Sequence, residues 1–189
     1  MDRRYVKTEK AIRSAYFSLL LEESNKITIA EIARMADIDR KTFYLHYQSL
    51  DDIVVRYAEE KLEELKGMLK QRGFFAEPYN LETLFYCLNR LALKDIELYR
   101  RLSKDPSYDF FWQTLHDMIR DTVFSVYIEP GQDESGRLQT YIDFYTSGII
   151  AVYRRWLEIE NDISMDELSH YLSRFTDSAV RIFKKIPDE

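Results

Sequence analysis

Between Thr28 and Ile53 the chain reads TIAEIARMADIDRKTFYLHYQSLDDI, and it crowds three helix starts so close together that no helix before the last can exceed about two turns. Thr28 and Glu31 have capping-box spacing, in which the hydroxyl accepts from the backbone N–H three residues on and the carboxylate reaches back to the cap. Ile27 and Ile32 stand at the staple positions around that cap. Behind it Ile29, Ile32, Ala33 and Ala36 share one helical face, and the small alanines let a second helix cross closely. Asp37, Ile38 and Asp39 then interrupt the helix, with Asp39 suited to cap the next one and Ile38 to plug the angle between the two. From Arg40 to Tyr47 a second helix carries Phe43 and Tyr47 inward and leaves Arg40, Lys41, Thr42, Tyr44 and His46 outward. Ser49 caps the third start, with Asp51 and Asp52 in a first turn where negative charge suits the helix dipole.

A short capped helix, a tight break and a second short helix form the layout of a helix-turn-helix. The outward residues are those a major-groove reader needs. Arg and Lys donate to guanine O6 and N7, Thr bonds a base or touches a thymine methyl, and Tyr and His reach phosphates. A hairpin that merely packs in an all-α domain would explain the caps but not donors clustered on the exposed face.

On these residues the segment resembles the N-terminal domain of TetR-family transcriptional regulators: Ile32-Ala33, Ala36, Arg40-Lys41-Thr42-Phe43-Tyr44 and His46-Tyr47 follow that family's pattern. The resemblance implies that Thr28, Tyr44, His46 and Tyr47 contact phosphate or buttress the contact, and that Arg40, Lys41 and Thr42 read bases. It also implies a homodimeric repressor of a nearby operon, bound to a palindromic double-stranded operator and released by a small-molecule inducer. Three residues depart from the pattern. Asp37 stands where the family usually has Gly, so a left-handed turn is expected at a residue that tolerates it better than most. Asp39 replaces a common Ser or Thr, an exchange of caps. Leu50 stands where many members place a phosphate-touching Lys, leaving the exposed amides of that helix end as the substitute. The match covers about the first 55 residues, and a late segment, FYTSGIIAVYRRWLE from Phe144 to Glu158, is similar to the next-to-last helix of a subgroup common in Gram-positive bacteria.

The net charge of −6 suits a DNA binder only once it is divided. Residues 1–50 carry +2 and residues 51–189 carry −8. The Debye length at physiological salt is about 8 Å, while a fourth helix from Leu50 to Arg72 would be roughly 35 Å long, so most of the acidic body is screened from the duplex. Arg3, Arg4, Lys7, Lys10 and Arg13 add a basic N-terminal arm that reaches phosphates or a minor groove, or is simply a solvated terminus.

The rest of the chain reads as helices. With 189 residues, 46% of them hydrophobic, it is long enough for one or two domains with a real core, and five Gly and four Pro leave little room for a turn-rich β fold. The expected fold is all-α with about nine helices: a three-helix head (1–50) joined by a long fourth helix to a helical regulatory and dimerisation body (51–189). The expected helices are 8–22, the two short ones, 50–72 stopped by Gly73, 80–93, 95–103, 107–128, 137–159 and 164–185, the last with a capping box at Ser164 and Glu167. A loop is expected at Glu129 to Gly136. A small apolar or aromatic inducer would draw on Phe85, Tyr86, Tyr99, Phe111, Trp112 and Phe144. By resemblance the last two helices pair with their copies, through Tyr145, Gly148, Val152, Trp156, Leu168, Leu172, Phe175 and Ala179, with a close helix approach at Ser147, Gly148 and Ala151.

Catalysis has no visible candidate. The three His are scattered, and there is no nucleophile elbow or phosphate-cradling glycine loop, so no metal and no cofactor is expected. The single Cys, Cys87, suits a reducing cytoplasm, and no apolar run approaches the ~20 residues of a membrane span. The competing reading is a regulator that acts through a protein partner, coactivator-like, with little or no inducer binding.

Overall fold

The computed structural model describes residues 3–22, 27–76, 80–127, 136–159 and 162–183, without the side chains of 124–127, 137–138 and 179–183. The loop expected at Glu129 to Gly136 therefore lies, apart from Gly136, outside the described residues, as does the side chain of Ala179. Among the described residues there are nine α-helices and no strand: α1 (Arg3–Leu21), α2 (Ile29–Met35), α3 (Arg40–His46), α4 (Leu50–Gln71), α5 (Leu81–Lys94), α6 (Ile96–Lys104), α7 (Asp109–Tyr127), α8 (Arg137–Glu158) and α9 (Met165–Phe183). A short 3₁₀ turn, Pro106–Tyr108, leads into α7. The fold is all-α, as expected.

Local chemistry sets the boundaries. The Thr28 hydroxyl accepts from the Glu31 N–H at 3.3 Å, and the Glu31 carboxylate accepts from the Thr28 N–H at 3.0 Å. Asp39 caps α3 by accepting from the Thr42 N–H at 2.6 Å, and Ser49 caps α4 by accepting from the Asp52 N–H at 3.2 Å. Between α2 and α3, Asp37 takes φ 52°, and the Ile38 N–H bonds the Ala33 carbonyl at 3.0 Å while the Asp37 N–H reaches that of Arg34 at 3.4 Å. That is a Schellman ending with Asp in the place usually held by Gly. The same motif ends α4, where Gly73 has φ 68° and the Phe74 N–H bonds the Leu69 carbonyl at 3.0 Å. Ser164 and Glu167 form the expected capping box of α9.

One hydrophobic cluster runs from head to body. Ile12, Tyr16, Ile32, Phe43, Tyr47, Ile53 and Val54 are continuous with Leu98, Tyr99, Leu102, Phe111, Trp112 and Leu157. The head is tied down by polar bonds as well: Tyr16 donates to the Tyr108 hydroxyl at 3.1 Å and Arg101 to the Leu20 carbonyl at 3.3 Å. On the far side of the body, buried Asn89 of α5 donates to the Met165 carbonyl at 3.1 Å and accepts from the Tyr153 hydroxyl at 2.7 Å, linking α5, α8 and α9.

Helix α1 begins at Arg3 rather than near residue 8, which corrects the expectation of a free basic arm. Arg3, Arg4, Lys7 and Lys10 lie on exposed turns of α1, while Arg13 pairs with Glu60 of α4.

Candidate nucleic-acid interface

Helix α3 has two unlike sides. Phe43, His46 and Tyr47, at i, i+3 and i+4, are buried, and Arg40, Lys41, Tyr44 and Leu45 are exposed, with Thr42 half-buried between them. Arg40 donates to the Tyr44 hydroxyl at 3.5 Å, and its guanidinium lies 5.9 Å from the centre of the Tyr44 ring. A rigid inner side thus presents a cationic and hydroxyl-bearing outer side. Asp39 at its start is held below the ordinary carboxylate range by the Thr42 amide, so it remains a charged cap.

His46 departs from the expected outward orientation. It is 5% exposed, its ring lies 4.1 Å from that of Tyr5, and its Nδ1 has no hydrogen-bond partner. Burial lowers its pKa, so the ring stays neutral and acts as a spacer between α1 and α3. Tyr47 is also inside, covered by the Arg56 guanidinium at 5.0 Å, and burial pushes its pKa up to about 12. These two residues buttress the helix.

The hydroxyl proton of Thr28 is committed to Glu31 at 2.7 Å and its N–H to the same carboxylate. In this arrangement Thr28 has no proton for a phosphate. Leu50 is half-buried against the core cluster, which accounts for an apolar residue there. The first turn of α4 carries Asp51 and Asp52, and the Asp52 carboxylate already accepts from the Gln48 N–H at 2.9 Å, so this end suits a phosphate poorly. Leu45, 69% exposed, was not among the expected contacts. It follows Lys41 by four residues, and that spacing alone assigns it to the same face.

Behind the head the body holds a cavity of about 420 Å³ between α4, α5, α7 and α8. Of the six residues expected at an inducer, Tyr99 and Trp112 line it. Phe85 and Phe111 are 1% and 0% exposed and belong to the core, whereas Tyr86 and Phe144 face outward at 44% and 71%.

Apolar side chains are also exposed on each of the last two helices. Phe144, Gly148, Ala151 and Val152 are exposed along one side of α8, and Tyr171 and Phe175 on α9. A Cβ placed on Gly148 would meet nothing within 4 Å, so among the described residues no helix makes the expected close approach at Gly148, while Ser147 meets His116 of α7 at 3.0 Å. Of the expected interface residues, Leu168 is buried, Leu172 and Trp156 are half-buried against neighbouring helices, and Tyr145 lines the cavity.

A family model described as a transcriptional regulator C-terminal region, of the TetR type, matches residues 79–178. The chain is 26% identical over 165 residues to a Bacillus subtilis (strain 168) protein named as an uncharacterized HTH-type transcriptional regulator, YxbF. That alignment takes in 80% of this chain but 40% of the relative, so the chain spans well under half of that protein's length. Two solved structures share the fold, each with a TM-score of 0.59. One is the dihydroxyacetone kinase operon activator DhaS, 19% identical, with 93% of this chain and 97% of that one covered. The other is a TetR transcriptional regulator from Streptococcus agalactiae 2603V, 24% identical, with 92% and 96% covered.

Proposed function

The chain belongs to the TetR family of transcriptional regulators, and from that premise we propose that it reads a palindromic double-stranded operator in sequence-specific fashion, as a homodimer. The observation that carries the reading is the two-sided α3, whose inner residues are locked in the core while Arg40, Lys41, Thr42 and Tyr44 stand toward solvent. Arg40 and Lys41 read base edges, Thr42 supports them, and Tyr44 takes a phosphate. In this account residues 1–50 are the reading head and 51–189 the regulatory and dimerisation body. The exposed stripe of Phe144, Gly148 and Val152 with Phe175 is the surface that meets a second copy, because it is apolar and open to close helix approach. A dimer places two reading helices about 34 Å apart, one turn of the duplex.

The body cavity receives a small effector. Helix α4 runs from directly behind α3 along the cavity wall, so a ligand that shifts α4 displaces the reading helix, which is the release of a cytoplasmic repressor. Coupling of about 1–3 kcal/mol would change operator affinity roughly 5- to 150-fold. Gel retardation of the DNA beside its own gene tests the reading. A band that survives competitor DNA supports it, and loss of the band under competitor counts against it.

The second reading, a regulator working through a protein partner, is favoured by the −8 carried by residues 51–189 and by the acidic start of α4. A structural neighbour whose name is that of an operon activator keeps activation open beside repression. Transcription from the bound promoter, measured with and without the protein, separates the two signs.

A further inference from the structure

We infer that the effector of the body cavity is an amphipathic carboxylic acid, its apolar body among the leucines and rings and its carboxylate at the rim on Lys66. This rests on the reading of that cavity as the effector site, and concerns which chemistry enters it.

The lining decides between classes of ligand. Leu62, Leu88, Leu115, Ile149 and Trp112 form walls that reward apolar surface, and a volume of about 420 Å³ lies within the ~300–1,000 Å³ range of small-molecule sites. Among the described residues the charged side chains that line it are Lys61 and Lys66, both on α4, and no Asp or Glu does. A cationic ligand would lose its hydration with no lining carboxylate to replace it, whereas an anion can meet a lysine ammonium of α4. For a polyhydroxylated ligand, three of the lining hydroxyls are already committed. Thr122 and Thr176 give their hydroxyl protons to helix carbonyls at 2.8 Å, and Tyr153 donates to Asn89 at 2.7 Å.

The two lysines are not equivalent. Lys61 is buried and held by Asp95 at 2.7 Å and Glu64 at 3.4 Å, so taking its charge would break an interior network. Lys66 is 37% exposed and pairs at 2.8 Å with Glu63, itself 72% exposed. An exposed pair of this kind is worth little, so Lys66 exchanges Glu63 for a ligand carboxylate readily. Phe75, 38% exposed, also lines the cavity and marks its mouth beside the end of α4. A carboxylate there keeps part of its water while the apolar tail is buried. Because Lys66 lies on α4, the acid grips the same helix that leads to the reading head.

The test is calorimetric titration of the full chain, without DNA, using decanoate, decan-1-ol and decyltrimethylammonium as length-matched acid, neutral and cationic probes. Decanoate should bind at least about five-fold more tightly than decanol. Lys66→Gln should remove that advantage and leave decanol unchanged, and Lys66→Arg should restore it. Decanol or the ammonium probe binding as tightly as decanoate, or Lys66→Gln leaving decanoate untouched, overturns the inference. Operator retardation is read separately. Decanoate that binds through Lys66 without releasing DNA upholds the ligand class and defeats the release mechanism, whereas failure of decanoate to bind a protein that still retards its operator defeats the ligand class alone.

Discussion

Asp95→Asn should weaken the joint between α4 and the body by an amount that the geometry bounds. Asp95 ends α5 and begins α6, yet its carboxylate does not cap α6. It is turned instead to the Lys61 ammonium at 2.7 Å and accepts from the Tyr57 hydroxyl at 2.8 Å, so two residues of α4 are held by one side chain. The amide keeps an oxygen for Tyr57 and loses the charge that faces Lys61. A hydrogen bond to a charged group contributes about 1.5–3 kcal/mol. The Asp95 side chain is 32% exposed and Glu64 remains near Lys61, so solvent screening and the second carboxylate place the loss at the lower end, about 1.5–2 kcal/mol. For a chain of this size that is a fall in Tm of about 3–8 °C. Burial pulls the Asp95 pKa upward, but the bonds from Lys61 and Tyr57 outweigh it and hold the carboxyl below its ordinary range. Since the folded pKa is depressed, the stabilisation is complete above the unfolded carboxylate value of about 3.9 and is lost as the pH falls through the folded value. Urea unfolding followed by circular dichroism, at steps from pH 7 to pH 3, should show a gap between wild type and Asp95→Asn that is constant down to about pH 5 and closes below about pH 4. A gap under about 0.5 kcal/mol at neutral pH, or one that widens in acid, would refute the reasoning.

Asp37→Gly should stabilise the head by about 0.5–1 kcal/mol, because Asp37 holds a left-handed φ of 52° that costs an L residue and not glycine; a thermal melt that drops instead would remove strain as the explanation. His46 is buried with its pKa lowered by desolvation, Glu9 pulling it up and Arg56 pushing it down, so its contribution is complete above about pH 6.5 and is lost as the pH falls toward the folded value. His46→Phe, which keeps the stack on Tyr5, should flatten that part of the dependence of Tm between pH 7 and pH 5, and an unchanged slope would acquit His46. Arg40→Ala or Lys41→Ala should relax discrimination at single base pairs by about 1–3 kcal/mol. Tyr44→Phe, by contrast, should lower affinity for all DNA sequences alike. Competition binding against point-mutated operators distinguishes the two patterns.

The fold was legible where a single residue has a single local use. Thr28, Asp39, Ser49 and Ser164 accept from backbone amides as their spacing indicates, and Asp37 and Gly73 turn left-handed at the helix ends. At His46 the helical period outranks polarity: with Phe43 and Tyr47 it makes an i, i+3, i+4 set, and all three face inward. The cavity was less legible. Aromatic content points to Phe85 and Phe111, but these fill the core, and the walls that α4 and α5 give the cavity are mostly leucines that look in sequence like any helix stripe. Lys61 could not be told from a solvated lysine, because its partner Asp95 is a tertiary neighbour on another helix.

Hydroxyl-radical footprinting of the intact protein on the operator it retards tests the central claim most directly. Two protected half-sites on one face of the duplex, about 34 Å between centres, should appear with the wild-type chain and fade with the combined Arg40→Ala and Lys41→Ala substitutions. A single unpaired footprint, or protection that survives those substitutions intact, would contradict the account.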